Sequence, residues 1–454
     1  MPVSVFDASL TRHLWSTDEL RAIFDERARI QRWFDFEAAL ASSQAELGII
    51  PQAAAAEIAA MATVDRIDIE AIAAEVRRIK HPLVPALRAL QRLCRPEHGE
   101  YVHFGLTTQD VIDTGTTLQL KEAHQVFLRD LRAIGRELAR LARRYRATPM
   151  AGRTHGVHAL PITFGHKCAI WLTEAARNHE RLTQLEDRVF VGSFAGAVGT
   201  QASFGPQAAA LEAMVMARLG LGVAEISWHP ARDRPAEYAG VLGLVGGGLA
   251  RIANEVFNLQ RSEVDELSEP FNEGKVGSST MPHKRNPAVV ENVVTLGRAL
   301  RASVAMMQET LVQEHERDGA AYKAELKALP EACMITGAML AQMRYVLAGL
   351  AVNEAGMRRN LDLLGGLIVS ERVMFVLAER VGKQTAHELV YEAAMRSVAG
   401  GRAFTETLLE DPRIREALTG AELAEALDPA RYVGLAPEIV DRVLEETRAS
   451  GWLD

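Results

Sequence analysis

Along most of this chain apolar residues return every three to four positions, and strict alternation of β-branched and polar residues is almost absent. That period belongs to amphipathic helices. Phe127, Leu131, Ile134, Leu138, Leu141 and Tyr145 fall at 4-3-4-3-4 spacing, the seam of a helical bundle. Proline is missing from Val111 to Thr148 and from Ala288 to Leu329, so helices of roughly 55–65 Å are expected there at ~1.5 Å per residue. Further long helical patterns run from about Thr163 to Val189, Arg234 to Leu267 and Glu331 to Asn360. Five such helices cannot each bury an apolar stripe alone, which implies a bundle that continues into neighbouring subunits.

The flanks read differently. Before about residue 105 the helices are shorter and break near Gly48, Pro51, Pro82 and Pro96; after about 352 they break at Gly365-Gly366, Gly400-Gly401, Pro412 and Pro429. The expectation is an all-α protein of three helical domains, 1–105, 106–351 and 352–454, with the long bundle in the centre. Gly246-Gly247-Gly248 resembles a phosphate loop only superficially, because no strand precedes it and helical periodicity runs through it. Close helix packing is the expected role.

Composition narrows the partners. The chain has 454 residues, 48% of them hydrophobic and 24% charged, as in ordinary globular proteins. A formal charge of −8 argues against a general nucleic-acid surface. No apolar run reaches the ~18 residues of a membrane span, and the start, Met1 to Asp7, lacks a signal-peptide pattern. Three scattered cysteines, Cys94, Cys168 and Cys333, suit a reducing compartment. A cytoplasmic protein without membrane or nucleic-acid partners is expected.

Four polar segments carry candidate chemistry. Gly277-Ser278-Ser279-Thr280-Met281-Pro282-His283-Lys284-Arg285-Asn286-Pro287 sets hydroxyls, a lysine and an amide ahead of a long helix. Such a loop can close over a small anion, hold it with Lys284 and Asn286, and exclude water. Thr107 and Thr108 precede a helix, where hydroxyls and free N–H groups favour an anion or simply cap the helix. In Arg153-Thr154-His155-Gly156-Val157-His158, His155 is a candidate acid or base, because imidazole titrates near neutral pH. His155 and His158 have no second histidine pair or cysteine cluster to complete a metal site, so no metal is expected. Glu291, in the helix after the loop, is either a solvated residue or a carboxylate that orients a histidine.

These segments, in this order, resemble the shared regions of the fumarase/aspartase superfamily over essentially the whole chain. The resemblance implies a homotetramer with a twenty-helix core and active sites shared between subunits. It implies Ser278 as catalytic base, His155 as general acid assisted by His81, and Glu291 orienting the acid from another subunit. Lys284, Asn286, Thr107, Thr108 and Thr154 would hold the carboxylates of a small dicarboxylate substrate, with Arg153 beside them. No cofactor is implied. The chemistry is β-elimination: a proton leaves the carbon next to a carboxylate, and cationic or hydroxyl donors stabilise the charge that develops.

Two branches compete. Lys80-His81-Pro82, Arg153–His158 and Tyr101-Val102-His103-Phe104-Gly105-Leu106-Thr107 look like adenylosuccinate lyase. Phe6-Asp7-Ala8, Asp35–Leu40, Trp228-His229 and Leu427–Tyr432 look like 3-carboxy-cis,cis-muconate cycloisomerase. Arg232, just past Trp228-His229, is a candidate carboxylate contact or a solvated helix-entry arginine. The arginines that hold a nucleotide in adenylosuccinate lyases are missing, with Ala321–Leu326 in place of one such segment. The presence of His155 and His81 together favours elimination over cycloisomerisation. The expectation is a fumarate-releasing C–N or C–O lyase acting on a substituted succinate other than adenylosuccinate. A non-catalytic helical scaffold is the alternative of another class, and the joint presence of Ser278, Lys284, Asn286, His155 and Glu291 argues against it.

Overall fold

A computed structural model of the chain describes residues 3–271, 280–281 and 283–454. The fold is all-α, as the apolar period predicts. Five long helices, Thr108–Arg144, Phe164–Gln184, Asp233–Leu259, Ala288–Glu309 and Gly319–Ala348, occupy the middle of the chain. The stripe Phe127, Leu131, Ile134, Leu138, Leu141 and Tyr145 is buried along its length. Among the described residues no helix is long and apolar enough to cross a membrane.

Contacts divide the chain into two compact units. One comprises Met1–Asp130, Asn178–Leu249 and Thr295–Ala341; the other Leu131–Arg177, Ala250–Val294 and Gln342–Asp454. In the first, Gly246 packs as expected: a β-carbon there would lie 2.3 Å from Leu300 Cδ2. Its N-terminal helices start where short polar side chains offer a cap, Thr17 accepting from Leu20 N at 3.2 Å and Asp25 from Ala28 N at 2.7 Å. In the second, the helices Ser370–Val381 and Lys383–Gly400 bury Val373, Leu377, Leu389, Phe404 and Ile414 in a core of their own. The predicted breaks fall at Gly48, Gly401, Pro412 and Pro429.

Two features depart from the sequence reading. The proline-free run Ala288–Leu329 is not one helix: it stops at Glu309 and restarts at Gly319, while Pro330 lies inside the helix Gly319–Ala348. The restart is encoded by Asp318, whose carboxylate accepts from Ala320 N at 2.7 Å, and by His315, held at φ 54°. Lack of proline permits a helix but does not compel one. The second departure is an antiparallel hairpin, Pro149–Thr154 with Val157–Thr163, where the all-helical reading placed no strand. A shorter strand pair joins Leu267–Ser268 to Ala351–Val352.

Candidate active site

In the second unit the hairpin carries the Arg153–His158 motif. Thr154 pairs with Val157, so His155 and Gly156 form a two-residue turn, with φ 54° and 82°. Positive φ at both positions is the type I′ geometry that fits the twist of a hairpin, and it explains glycine in the second place. His155 and Thr154 stand exposed at the tip. Gly152 lies at the register shift behind the turn, where a β-carbon would sit 2.6 Å from Leu160 O.

Arg153 is held in an ion pair. Its Nη2 and Nη1 donate to Glu266 Oε1 and Oε2 at 2.6 and 3.0 Å, and Nη1 also reaches Ala151 O. Glu266 is fully buried and accepts a further bond from Asn360 Nδ2 at 2.7 Å. The ion pair makes Arg153 an anchor: a buried carboxylate fixes the strand one residue before Thr154 and two before His155. Burial and the neighbouring Arg153 together push the His158 pKa down, against the pull of Glu266.

The signature loop enters the same unit. Ser278 lies outside the described residues. Lys284 is exposed and its N–H donates to Met281 O at 3.1 Å; Asn286 is half-buried. Arg285 lies over the Phe271 ring at 4.9 Å. The following helix is capped by a distant residue: Glu269 Oε2 accepts from Val289 N and Val290 N, each at 3.0 Å. Glu291 stands exposed in the first turn of that helix. Among the described residues no three His, Cys, Asp or Glu side chains are grouped as metal ligands.

The first unit holds Thr107, Thr108 and His81. Thr107 precedes the helix that begins at Thr108, and its Oγ1 accepts from Arg317 Nη1 at 3.0 Å. Arg317 Nη2 donates to Ala197 O at 2.7 Å, which ties the turn after Ser193 to the helix start. Asp110, wholly buried, closes this ring. Its carboxylate accepts from Ala195 N at 2.9 Å, Gly196 N at 3.0 Å and Ser193 Oγ at 3.0 Å, and more weakly from Thr107 N at 3.3 Å. His229 Nε2 lies 3.0 Å from the same carboxylate.

His81 is half-buried, and burial, then His103 and Arg317, hold its pKa below the usual histidine range. That shift favours the neutral ring. His103, in the Tyr101–Thr107 segment, is its counterpart. Burial is the largest influence on His103 and would lower its pKa, but Glu37 and Asp110 overcome it and raise it. Glu37, itself buried, accepts from His103 N at 2.9 Å and lies 2.8 Å from His103 Nδ1. The only local signal for His103 is its left-handed backbone, φ 63°, which no sequence pattern announces.

Arg232 fits neither expectation. It is neither solvated nor available to a substrate, being 4% exposed and bonded to two buried carboxylates. Nη1 and Nη2 donate to Asp113 at 3.0 Å each, and Nε and Nη2 to Glu325 at 3.0 and 2.5 Å. Its guanidinium also lies over the Trp228 ring at 4.8 Å. Burial raises the Glu325 pKa, opposed by Arg232.

The family profile described as lyase matches residues 12–302, well over half of the chain. The chain belongs to the fumarase/aspartase superfamily of lyases. A second profile, the adenylosuccinate lyase C-terminus, matches residues 366–443 of this lyase. The N-acetyl-S-(2-succino)cysteine lyase of Enterococcus italicus is 48% identical over 449 residues, 99% of this chain and 98% of the relative. The enzyme of the same name from Dickeya dadantii is 47% identical over 453 residues, covering 100% of both. Among solved structures, the 3-carboxy-cis,cis-muconate lactonizing enzyme from Pseudomonas putida superposes with a TM-score of 0.92 at 36% identity, covering 96% of this chain and 98% of that one. Enzymes named adenylosuccinate lyase and 3-carboxy-cis,cis-muconate cycloisomerase, the two branches indicated by the sequence, are both among its relatives, at 42% and 41% identity.

The anchor under the hairpin makes a prediction for this lyase. Glu266→Gln is expected to lower kcat by up to about a hundredfold, the scale of a ~1 Å displacement of a reacting group. A double variant, Arg153→Met with Glu266→Met, replaces the ion pair by apolar packing and should keep the wild-type melting temperature. If that double variant also kept wild-type kcat, the ion pair would have no positioning role.

Proposed function

We propose that this lyase removes a thiol from an S-(2-succino) compound and releases fumarate, with N-acetyl-S-(2-succino)cysteine as the substrate class. The observation that carries this reading is near-half identity, along the entire chain, to two lyases of that name. Sulfur then takes the place of the nitrogen or oxygen that the sequence suggested as leaving atom.

Ser278 removes the proton from the carbon beside the carboxylate that becomes the aci-acid. Lys284 and Asn286 bear on that carboxylate, and Thr107, Thr108 and Thr154 on the succinyl oxygens. Electrons flow from the broken C–H bond into the new C=C bond as the C–S bond breaks, and the thiolate takes a proton from His155, oriented by Glu291. A thiol has a pKa of about 8.5, so its anion departs with less help than an amine needs. His81, whose neutral form burial favours, assists the acid histidine in this reading. The residues fall in two units of one chain, and the reading includes a homotetramer in which several chains complete each site. No metal or organic cofactor takes part. A reducing cytoplasm, where free thiols persist, is the fitting location.

The test is a substrate panel followed by the absorbance of the fumarate double bond. N-acetyl-S-(2-succino)cysteine is expected to give the highest kcat/KM. Adenylosuccinate, whose phosphate finds no arginine clamp, should be roughly a thousandfold worse or more. Adenylosuccinate or an N-substituted aspartate as the best substrate would end the thiol reading. Efficient lactonisation of 3-carboxymuconate would transfer the chain to the activity named for its P. putida neighbour.

A further inference from the structure

A cavity of about 660 Å³ in the second unit is lined by Arg136, Arg140, Arg143 and Arg144 of the helix Thr108–Arg144, by Arg448 of the helix Ala436–Ser450, and by Asp454 among others. We propose that this groove binds a compact polyphosphate.

The concentration of charge is not background, because the chain as a whole carries −8. It is also not favourable for the helix by itself. Arg136, Arg140 and Arg144 follow one another at four-residue spacing, where like charges repel. Two of the arginines already have work. Arg136 Nε donates to Leu453 O at 2.7 Å and its Nη2 to Asp454 O at 3.0 Å; Arg140 Nε donates to Glu137 at 2.7 Å. Arg143, Arg144 and Arg448 make no ion pair with any described carboxylate, and Arg144 only rests over the Tyr145 ring at 5.2 Å. Three exposed guanidiniums are thus left facing one groove.

A simpler account treats these cations as complements to helix ends. Arg143 and Arg144 occupy the last turn of one helix and Arg448 the last turn of another, where cations answer the unpaired carbonyls. That explains each helix separately. It does not explain Arg140 and Arg136, which lie one and two turns earlier, or the convergence of two helices on one cavity. The wall itself depends on a particular residue. A β-carbon at Gly135 would lie 2.2 Å from Trp452 Cη2, so only glycine lets Trp452 and Leu453 close over the helix.

The ligand class follows from the donors. Guanidinium forks match pairs of phosphate oxygens, and several unpaired forks in one groove suit several adjacent anionic groups. The volume lies in the ordinary range for small-molecule sites. None of the residues assigned to catalysis lines the groove, so occupancy and turnover are separable.

The purified full-length protein is titrated calorimetrically with inorganic triphosphate, ATP and citrate, at low salt and at about 0.15 M ionic strength. Triphosphate is expected to bind, and to bind more weakly at the higher salt. The exposed double variant Arg143→Ser with Arg448→Ser should bind at least about tenfold more weakly, since each charged hydrogen bond contributes more than that factor. Its fumarate release and melting temperature should match wild type. Equal binding of triphosphate and ATP would identify the phosphate chain as the recognised part, and tighter ATP binding would add a nucleoside contact to it. Absence of binding by both at low salt, affinity unchanged in the variant, or tighter binding of citrate than of triphosphate would overturn the proposal.

Discussion

Replacing Ser278 by alanine is expected to lower kcat by about 10²–10⁴-fold, the usual contribution of a positioned general base, with KM little changed. The hydroxyl is asked to take a proton from carbon, a task the methyl that replaces it cannot perform. Lys284, Asn286 and the threonines that would hold the carboxylates remain in place, so binding should survive. The measurement is initial-rate fumarate release together with substrate affinity by calorimetry. A variant that kept more than about a tenth of wild-type kcat would remove Ser278 from the base role.

The second large effect falls on stability. Arg232→Met leaves Asp113, 2% exposed, and Glu325, 5% exposed, facing each other without their cation. Removing one partner from a buried ionic cluster costs about 3–5 kcal/mol, because the remaining charge stays desolvated. Denaturant unfolding of wild type and variant at one matched protein concentration measures this, since any subunit association would make midpoints concentration-dependent. Changing Asp113 and Glu325 to leucine in the same background should recover most of the loss. A single Arg232→Met variant within about 1 kcal/mol of wild type would show that the triad is not a stability element.

Much of the architecture was legible because helices report themselves locally. The stripe from Phe127 to Tyr145 needs only a period of three to four, and the glycines and prolines of the flanks mark ends by backbone chemistry alone. The hairpin was not legible. Its strands have six and seven residues, their burial does not alternate, and the turn is His-Gly rather than the more common Asn-Gly. The partners of Arg153 and Arg232 were not legible for a different reason. Their carboxylates, Glu266, Asp113 and Glu325, lie 93 to 119 residues away along the chain, beyond any spacing rule. His103 and Glu37, 66 residues apart, escaped notice in the same way. Sequence locates reactive groups well when they share a segment, and poorly when a distant partner decides their charge state.

The hairpin turn has a consequence for how such lyases change. Its shape is imposed from below by Glu266 and from beside by Gly156, so neither anchor depends on the side chain at the tip. A residue mounted in this way can be exchanged without unfolding its support, provided the newcomer tolerates a left-handed backbone. Asparagine, aspartate and glycine meet that condition, whereas valine and isoleucine do not. The side chain at this position is thus modular: it can change by single steps that leave the scaffold's folding untouched.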